Sequence, residues 1–186
     1  SIVHKALELY DGKDLEVAFN KAVEEFVPGN VSGTVKAKQM LENYVASDLY
    51  KALPKNKIKE MQFALPVDDL LVSGVVDCVV ETADGLLLVD YKTGRPPKQD
   101  EVKLGYAYQL AIYKYAVEKL LNKKVIEAKL HFLQNLGEWS MPMDNDYLDA
   151  SLALCNEIRS KAKEEDFTCN LANCKYCPYN YLCPQK

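Results

Sequence analysis

The chain has 186 residues, 48% of them hydrophobic and 27% charged, with a formal net charge of −4. That length suits one compact domain with a sizeable core, and the composition lies in the range of ordinary globular proteins. No apolar run approaches the roughly 20 residues of a membrane-crossing helix, and a mildly acidic balance does not by itself announce a nucleic-acid binder.

Residues 1–10 and 14–26 read as helices, and Pro28-Gly29-Asn30 breaks the pattern after them. The opening Ser-Ile-Val-His-Lys-Ala-Leu-Glu-Leu-Tyr has no apolar signal-peptide core and reads as a helix entered in mid-stride, as in a piece of a longer or trimmed protein. Ser32 is placed to cap a third helix that runs to about Leu53 and stops at Pro54. Beyond it, Lys51, Lys55, Lys57 and Lys59 cluster in what reads as a solvated loop.

Three strand-like runs follow at 61–67, 70–80 and 86–91, the last two rich in Val and Leu. Gly94, Pro96 and Pro97 require a loop over 92–97. Residues 101–121 form the clearest helix, with Tyr106, Leu110, Tyr113, Val117 and Leu120 as a stripe to pack on a sheet. Residues 125–134 and 138–143 read as a hairpin turning at Leu136-Gly137, and a last helix covers about 145–163. The order predicts an α/β (α+β) core in which a central mixed sheet is flanked by helices. It also predicts one domain over 1–186: a helical part at 1–60, a sheet and helix at 61–143, and a last helix with a cysteine-rich tail at 144–186.

The chemistry concentrates in two of the strands. Asp90 and Lys92 are two apart, so their side chains leave the same face. A two-residue turn at Ala83-Asp84 sets Asp77 opposite Asp90, whereas a turn at Asp84-Gly85, the commoner hairpin signal, sets Asp77 opposite Lys92. Both registers put all three side chains on one face, which only an odd loop or a bulge would undo. Two acids close together on an apolar hairpin repel each other and are costly to desolvate. A hard divalent cation turns that cost into a binding site, since Mg²⁺ takes carboxylates together with water and phosphate oxygens. Lys92 beside it can orient or help deprotonate a water, or neutralise charge growing on a phosphate. Taken alone, the D-x-K triplet is equally an exposed Asp–Lys pair.

Asp77, followed by Asp90-Tyr91-Lys92-Thr93-Gly94 after an apolar strand, resembles the core of the PD-(D/E)-x-K nucleases, in particular their RecB-like branch. The Gln and Tyr that this branch carries one turn apart, in the helix after the lysine, are matched by Gln109 and Tyr113. Its metal-binding His in the first helix is matched by His4 within Ile2-Val3-His4-Lys5-Ala6-Leu7-Glu8, with Glu8 one turn further on. Val76 stands where the signature has Pro, a departure common in this branch. Without the resemblance, His4 reads as a structural histidine, Tyr113 as core, and Gln109 as a polar group that needs a partner.

The resemblance implies a restriction-endonuclease-like fold and an Mg²⁺ or Mn²⁺ ion held by His4, Asp77, Asp90 and the main-chain carbonyl of Tyr91. Lys92 would position the nucleophile, and Gln109 and Tyr113 would support it. The implied activity is hydrolysis of DNA phosphodiesters at ends or on single strands, as an exonuclease of recombination or repair. DNA is the implied partner, together with a helicase, whether a domain of the same chain or a separate one. A module that binds nucleic acid without cutting it is the alternative, and expects a degraded acidic set. An unrelated zinc-binding interaction domain is a third reading.

In the tail, Cys174 and Cys177 form a C-x-x-C unit that Cys183 can join, and thiolates select zinc or iron–sulfur clusters. This clustering, without a signal peptide, points to a reduced, cytoplasmic setting. The resemblance implies a [4Fe–4S] cluster, with zinc as rival, on Cys174, Cys177, Cys183 and a fourth ligand upstream of His4. No cysteine precedes His4, so the fourth ligand lies on a missing upstream segment, which the resemblance favours, or is Cys169. Cys78 and Cys155 read as buried apolar residues.

Overall fold

The computed structural model describes residues 1–29, 32–67, 69–95, 103–144, 146–165 and Cys174. They group into two compact units, Ser1–Ser151 and Leu152–Lys186. The first begins with α1 (Ile2–Leu9), which buries Val3, Ala6 and Leu7, and α2 (Leu15–Phe26), whose N-terminus is capped by Asp14 accepting from the Val17 N–H at 2.9 Å.

The expected third helix is not continuous. A 3₁₀ turn at Ser32–Thr34 leads into α3 (Val35–Ala46), Ser47 turns to an extended conformation with ψ 159°, and α4 (Asp48–Lys51) follows as a separate turn. Thr34 stands at the N-cap of α3, and Ser47 caps α4: its hydroxyl accepts from the Tyr50 N–H and donates to the Tyr44 carbonyl. A serine that offers its own hydroxyl to neighbouring backbone competes with the helix at that point.

The sheet has five strands in the order β1 (Lys57–Val67), β2 (Leu70–Glu81), β3 (Leu86–Lys92), β4 (Val125–Phe132) and β5 (Gly137–Ser140). β3 and β4 are parallel and the other neighbours antiparallel, so the sheet is mixed, as expected. The crossover from β3 to β4 carries α5 (Lys103–Leu121). β1 starts earlier than its apolar pattern suggests, at Lys57. A last helix, α6 (Tyr147–Lys163), contains the boundary between the two units.

Each face of the sheet has its own core. Leu87, Val89 and Tyr91 of β3 pack with Ala6, Leu7, Phe19, Leu41 and Tyr44 of the N-terminal helices. Leu86 and Leu88 pack instead with Ala107, Leu110, Ala111 and Val117 of α5. β3 is thus buried on both sides, which its unbroken apolar run requires. The α5 stripe differs from expectation at its end: Leu120 is 46% exposed, and small alanines bring the helix close to the sheet.

The register of the β2–β3 hairpin is set at its turn. Thr82 N donates to the Gly85 carbonyl at 2.8 Å, which places the two-residue turn at Ala83-Asp84. Gly85 has φ +151°, and a Cβ there would lie 2.7 Å from the Lys124 carbonyl oxygen, which accepts from Leu86 N. A side chain fits neither that torsion nor that space. Gly85→Ala is expected to lower stability by about 1–3 kcal/mol in denaturant melts, far more than an alanine at the unhindered Gly105.

Candidate active site

The β2–β3 ladder pairs Glu81 with Leu86 through Cys78 with Val89, so the next residues to face each other are Asp77 and Asp90. The ladder stops there. Asp77 Oδ2 instead accepts the Tyr91 N–H at 2.7 Å, a side chain replacing a main-chain partner. The β1 side is irregular at the same level: Lys59 pairs with Cys78 and Met61 with Val76, while Glu60 between them has φ 50°. Val76 packs on the α5 side and Cys78, two residues on, packs on the other. The alternation of faces therefore changes at Asp77, the local twist that a bulge-like distortion produces.

Around this point the structure collects residues from four elements. His4 Nε2, from α1, lies 2.8 Å from the Tyr91 carbonyl oxygen and 3.5 Å from Asp77 Oδ2. A carbonyl can only accept, so Nε2 carries a proton, and Nδ1 takes the Ser1 hydroxyl at 2.5 Å. Burial lowers the His4 pKa, which agrees with a neutral ring and makes the Asp77 contact a polar one more than an ion pair. Lys92 Nζ approaches Asp90 Oδ2 at 2.6 Å and donates to Gln109 Oε1 at 2.9 Å. Gln109 Nε2 in turn donates to the Tyr113 hydroxyl at 2.8 Å. Tyr113 is both core and site, for its ring also packs edge-on against Phe63.

The electrostatics favour a cation. Burial, reinforced by the Asp90 charge, pushes the Asp77 carboxyl up to about 7, against the opposing pull of the Tyr91 N–H and Lys92. Burial also raises Asp90, partly offset by Lys92. Asp90 Oδ2 is buried, and the Lys92 ammonium at 2.6 Å is the one polar partner it has among the described residues. A buried carboxylate, a second carboxylate beside it and an adjacent main-chain carbonyl are hard donors that suit Mg²⁺ or Mn²⁺, and the imidazole adds a nitrogen suited to Mn²⁺. The side chains do not already converge as a closed cage: among the described residues no three His, Cys, Asp or Glu groups meet as a metal site. In this arrangement the donors satisfy one another, His4 on Tyr91 and Asp77 on the Tyr91 N–H.

All seven residues expected at the catalytic centre, His4, Asp77, Asp90, Tyr91, Lys92, Gln109 and Tyr113, thus belong to one connected neighbourhood. Glu8 pairs with Lys5 at 3.1 Å and lines a cavity of about 290 Å³ with His4 and Glu60. Glu60 was not legible in the sequence, because nothing in Lys57-Ile58-Lys59-Glu60-Met61 marks it from an ordinary strand acid. Its carboxyl is raised by burial, then by Asp77 and Glu8. Of the cysteines expected as tail ligands, Cys169, Cys177 and Cys183 lie outside the described residues, and Cys174 is half-buried and forms no disulfide among the described residues. Cys78 is buried as expected, whereas Cys155 is only partly so.

The Asp77 shift gives a stability prediction for metal-free protein. A carboxyl whose folded pKa is raised costs stability as pH climbs from its unfolded value of about 4 to its folded value of about 7. Asp77→Asn keeps an oxygen for the Tyr91 N–H and removes the charge. With chelator at pH 8 it is expected to be roughly 1–3 kcal/mol more stable than the parent, an advantage that shrinks toward pH 4 in denaturant melts.

Comparison with known proteins places this geometry. A subunit of the ATP-dependent helicase/nuclease of Pelotomaculum thermopropionicum is 45% identical over 71 residues, 37% of this chain and 6% of that protein. The corresponding Moorella thermoacetica protein is 40% identical over 88 residues, 47% of this chain and 6% of its own length. That of Clostridium botulinum is 26% identical over 156 residues, 70% of this chain and 12% of its own. The chain thus spans a small fraction of these relatives. Among solved structures, that of SSO0001 aligns with 100% of this chain and 84% of its own at 16% identity and a TM-score of 0.49. The family model for the PD-(D/E)XK nuclease superfamily matches residues 1–184. With the match running almost end to end over a sheet that presents Asp77, Asp90 and Lys92 together, the chain belongs to the PD-(D/E)XK nuclease superfamily.

Proposed function

We propose that this chain is a RecB-like, metal-dependent deoxyribonuclease domain that hydrolyses DNA phosphodiesters, as an exonuclease acting at ends or on single strands. The observation that carries this reading is the buried Asp90 carboxylate beside Asp77 and the Tyr91 carbonyl, ion-paired at 2.6 Å to a lysine that is itself tethered by Gln109. The complete acidic set favours cutting over binding alone. Asp77, Asp90, His4 and the Tyr91 carbonyl would hold Mg²⁺ or Mn²⁺. The cation, when bound, supplies a Lewis acid that acidifies water and polarises the phosphate.

The chain's own groups do the positioning. Gln109 accepts from Lys92 and donates to Tyr113, so its amide cannot rotate without losing both bonds, and the amine is held at one place. That amine offers its remaining protons to an attacking water or to a phosphate oxygen as negative charge grows there. Tyr113, whose hydroxyl is raised to about 12 mainly by burial, stays protonated and acts as an anchor, not as a base.

The relatives, whose names make them part of an ATP-dependent helicase/nuclease, support a role in DNA repair and a helicase partner. Among the described residues no helix is long and apolar enough to cross a membrane. From the clustered thiols of the tail we infer action in the reducing cytoplasm. The C-x-x-C unit at Cys174 and Cys177, with Cys183 and a fourth thiolate, is inferred to hold a [4Fe–4S] cluster that braces the tail and takes no part in hydrolysis.

Two measurements follow. With end-labelled single-stranded DNA and Mg²⁺ or Mn²⁺, Asp90→Ala and Lys92→Ala are expected to lose cleavage by at least about 100-fold while melting normally, and Gln109→Leu by about 10–100-fold. Persistent activity in either alanine variant would remove this mechanism. Anaerobically purified protein should contain iron and sulfide and absorb in the visible. Stoichiometric zinc would replace the cluster assignment, and neither metal would end it.

A further inference from the structure

Of the lysines expected as a solvated loop, Lys51 and Lys55 are exposed whereas Lys57 and Lys59 are half-buried in β1, and all four, together with Lys13, line a cavity of about 680 Å³. It lies at the C-terminal end of α1, the opposite end from His4, between the α1–α2 loop, α4 and the start of β1. The one acid lining it is Asp11, 3.9 Å from Lys13. Lys51, Lys55 and Lys57 form no ion pair among the described residues.

Five lysines against one carboxylate is a strong local excess in a chain whose net charge is −4. Burial lowers the pKa of Lys57, and of Lys59 with the Lys57 charge adding to it, so holding these amines together carries a cost that an anion would relieve. Lys59 has a structural task, donating to the carbonyls of Glu8 and Tyr10 at the end of α1. Lys57 is positioned differently, with Nζ 4.9 Å from the centre of the Tyr50 ring. The Tyr10 ring lies 6.2 Å from that of Tyr50, and both line the cavity.

We propose that this cavity binds the backbone phosphates of a single DNA strand, a second contact for the strand engaged at the Asp77–Asp90 centre. The identity of the strand as substrate rests on the nuclease reading, while the phosphate site itself rests on the cavity. Distances along the chain suit both contacts on one strand. Tyr10 is six residues from His4, about 9 Å of helix, and Lys57 is three residues from Glu60, about 10 Å of strand. Amines beside aromatic rings favour a single strand over a duplex, because unpaired bases can turn and stack while the backbone follows the charge.

The test uses the full chain with chelator, a fluorescein-labelled oligo-dT 20-mer and anisotropy over a salt series. Lys59 is left intact because of its structural bonds, and the pocket variant is Lys51→Gln, Lys55→Gln and Lys57→Gln combined. The control, Lys21→Gln, Lys36→Gln and Lys124→Gln combined, changes net charge equally at exposed sites elsewhere. The pocket variant is expected to melt normally and bind at least about 10-fold more weakly, with a salt slope shallower by about 2, as loss of three phosphate contacts requires. The control should stay within about twofold of the parent. No binding by the parent chain, equal losses in the two variants, no loss in the pocket variant, or a loss seen with duplex and not with single strand would overturn the proposal. Cleavage is scored separately: a parent chain that binds through this pocket but never cuts with Mg²⁺ or Mn²⁺ would remove the nuclease reading and leave the phosphate site standing.

Discussion

A buried carboxylate, Asp90, and a half-buried one, Asp77, side by side at the end of a hairpin are the constraint around which this domain is built. Asp77 and Asp90 face each other where the β2–β3 ladder ends, and burial pushes each toward its neutral form. An apolar pair at that level would let the ladder continue and would cost nothing in charge. The chain instead gives up a main-chain pair, turns an Asp oxygen onto the Tyr91 N–H, and sets Lys92 against Asp90.

The two helical layers divide the remaining work. α1 packs on one face through Val3, Ala6 and Leu7, which leaves His4 directed at the Tyr91 carbonyl. α5 packs on the other face through Ala107, Leu110 and Ala111, and its Gln109 accepts from the amine of Lys92 while donating to Tyr113 one turn on. Because the two cores sit on opposite sides of β3, each helix is oriented by its own packing, and the site forms where both reach the same strand end. Stability held in rigid cores is what allows a few strained or unpaired polar groups to persist at the site.

Much of this was legible because it depends on short periods. Asp90 and Lys92 share a face by the alternation of a strand, and Gln109 and Tyr113 share one by the turn of a helix. The hairpin register was open between two turns, and composition favoured the wrong one. Gly85 decides it through a torsion and a close approach to Lys124, neither of which a local pattern contains. The unbroken third helix failed for a related reason, since the extended Ser47 is a backbone choice made against Tyr44 and Tyr50. The closeness of Glu60 to Asp77 and Glu8 and the buried Tyr44–His131 contact at 2.7 Å both join residues far apart in the chain. Such pairings arise from the topology and leave no mark in sequence spacing.

Everything proposed for the site requires the Asp77 and Asp90 carboxylates and the Tyr91 carbonyl to act as one cation site. Diffraction from crystals soaked in Mn²⁺, collected at a wavelength where manganese scatters anomalously, addresses this directly. One anomalous peak is expected between those three groups, with Lys92 Nζ drawn off Asp90. A peak elsewhere, or none at saturating Mn²⁺, would contradict it.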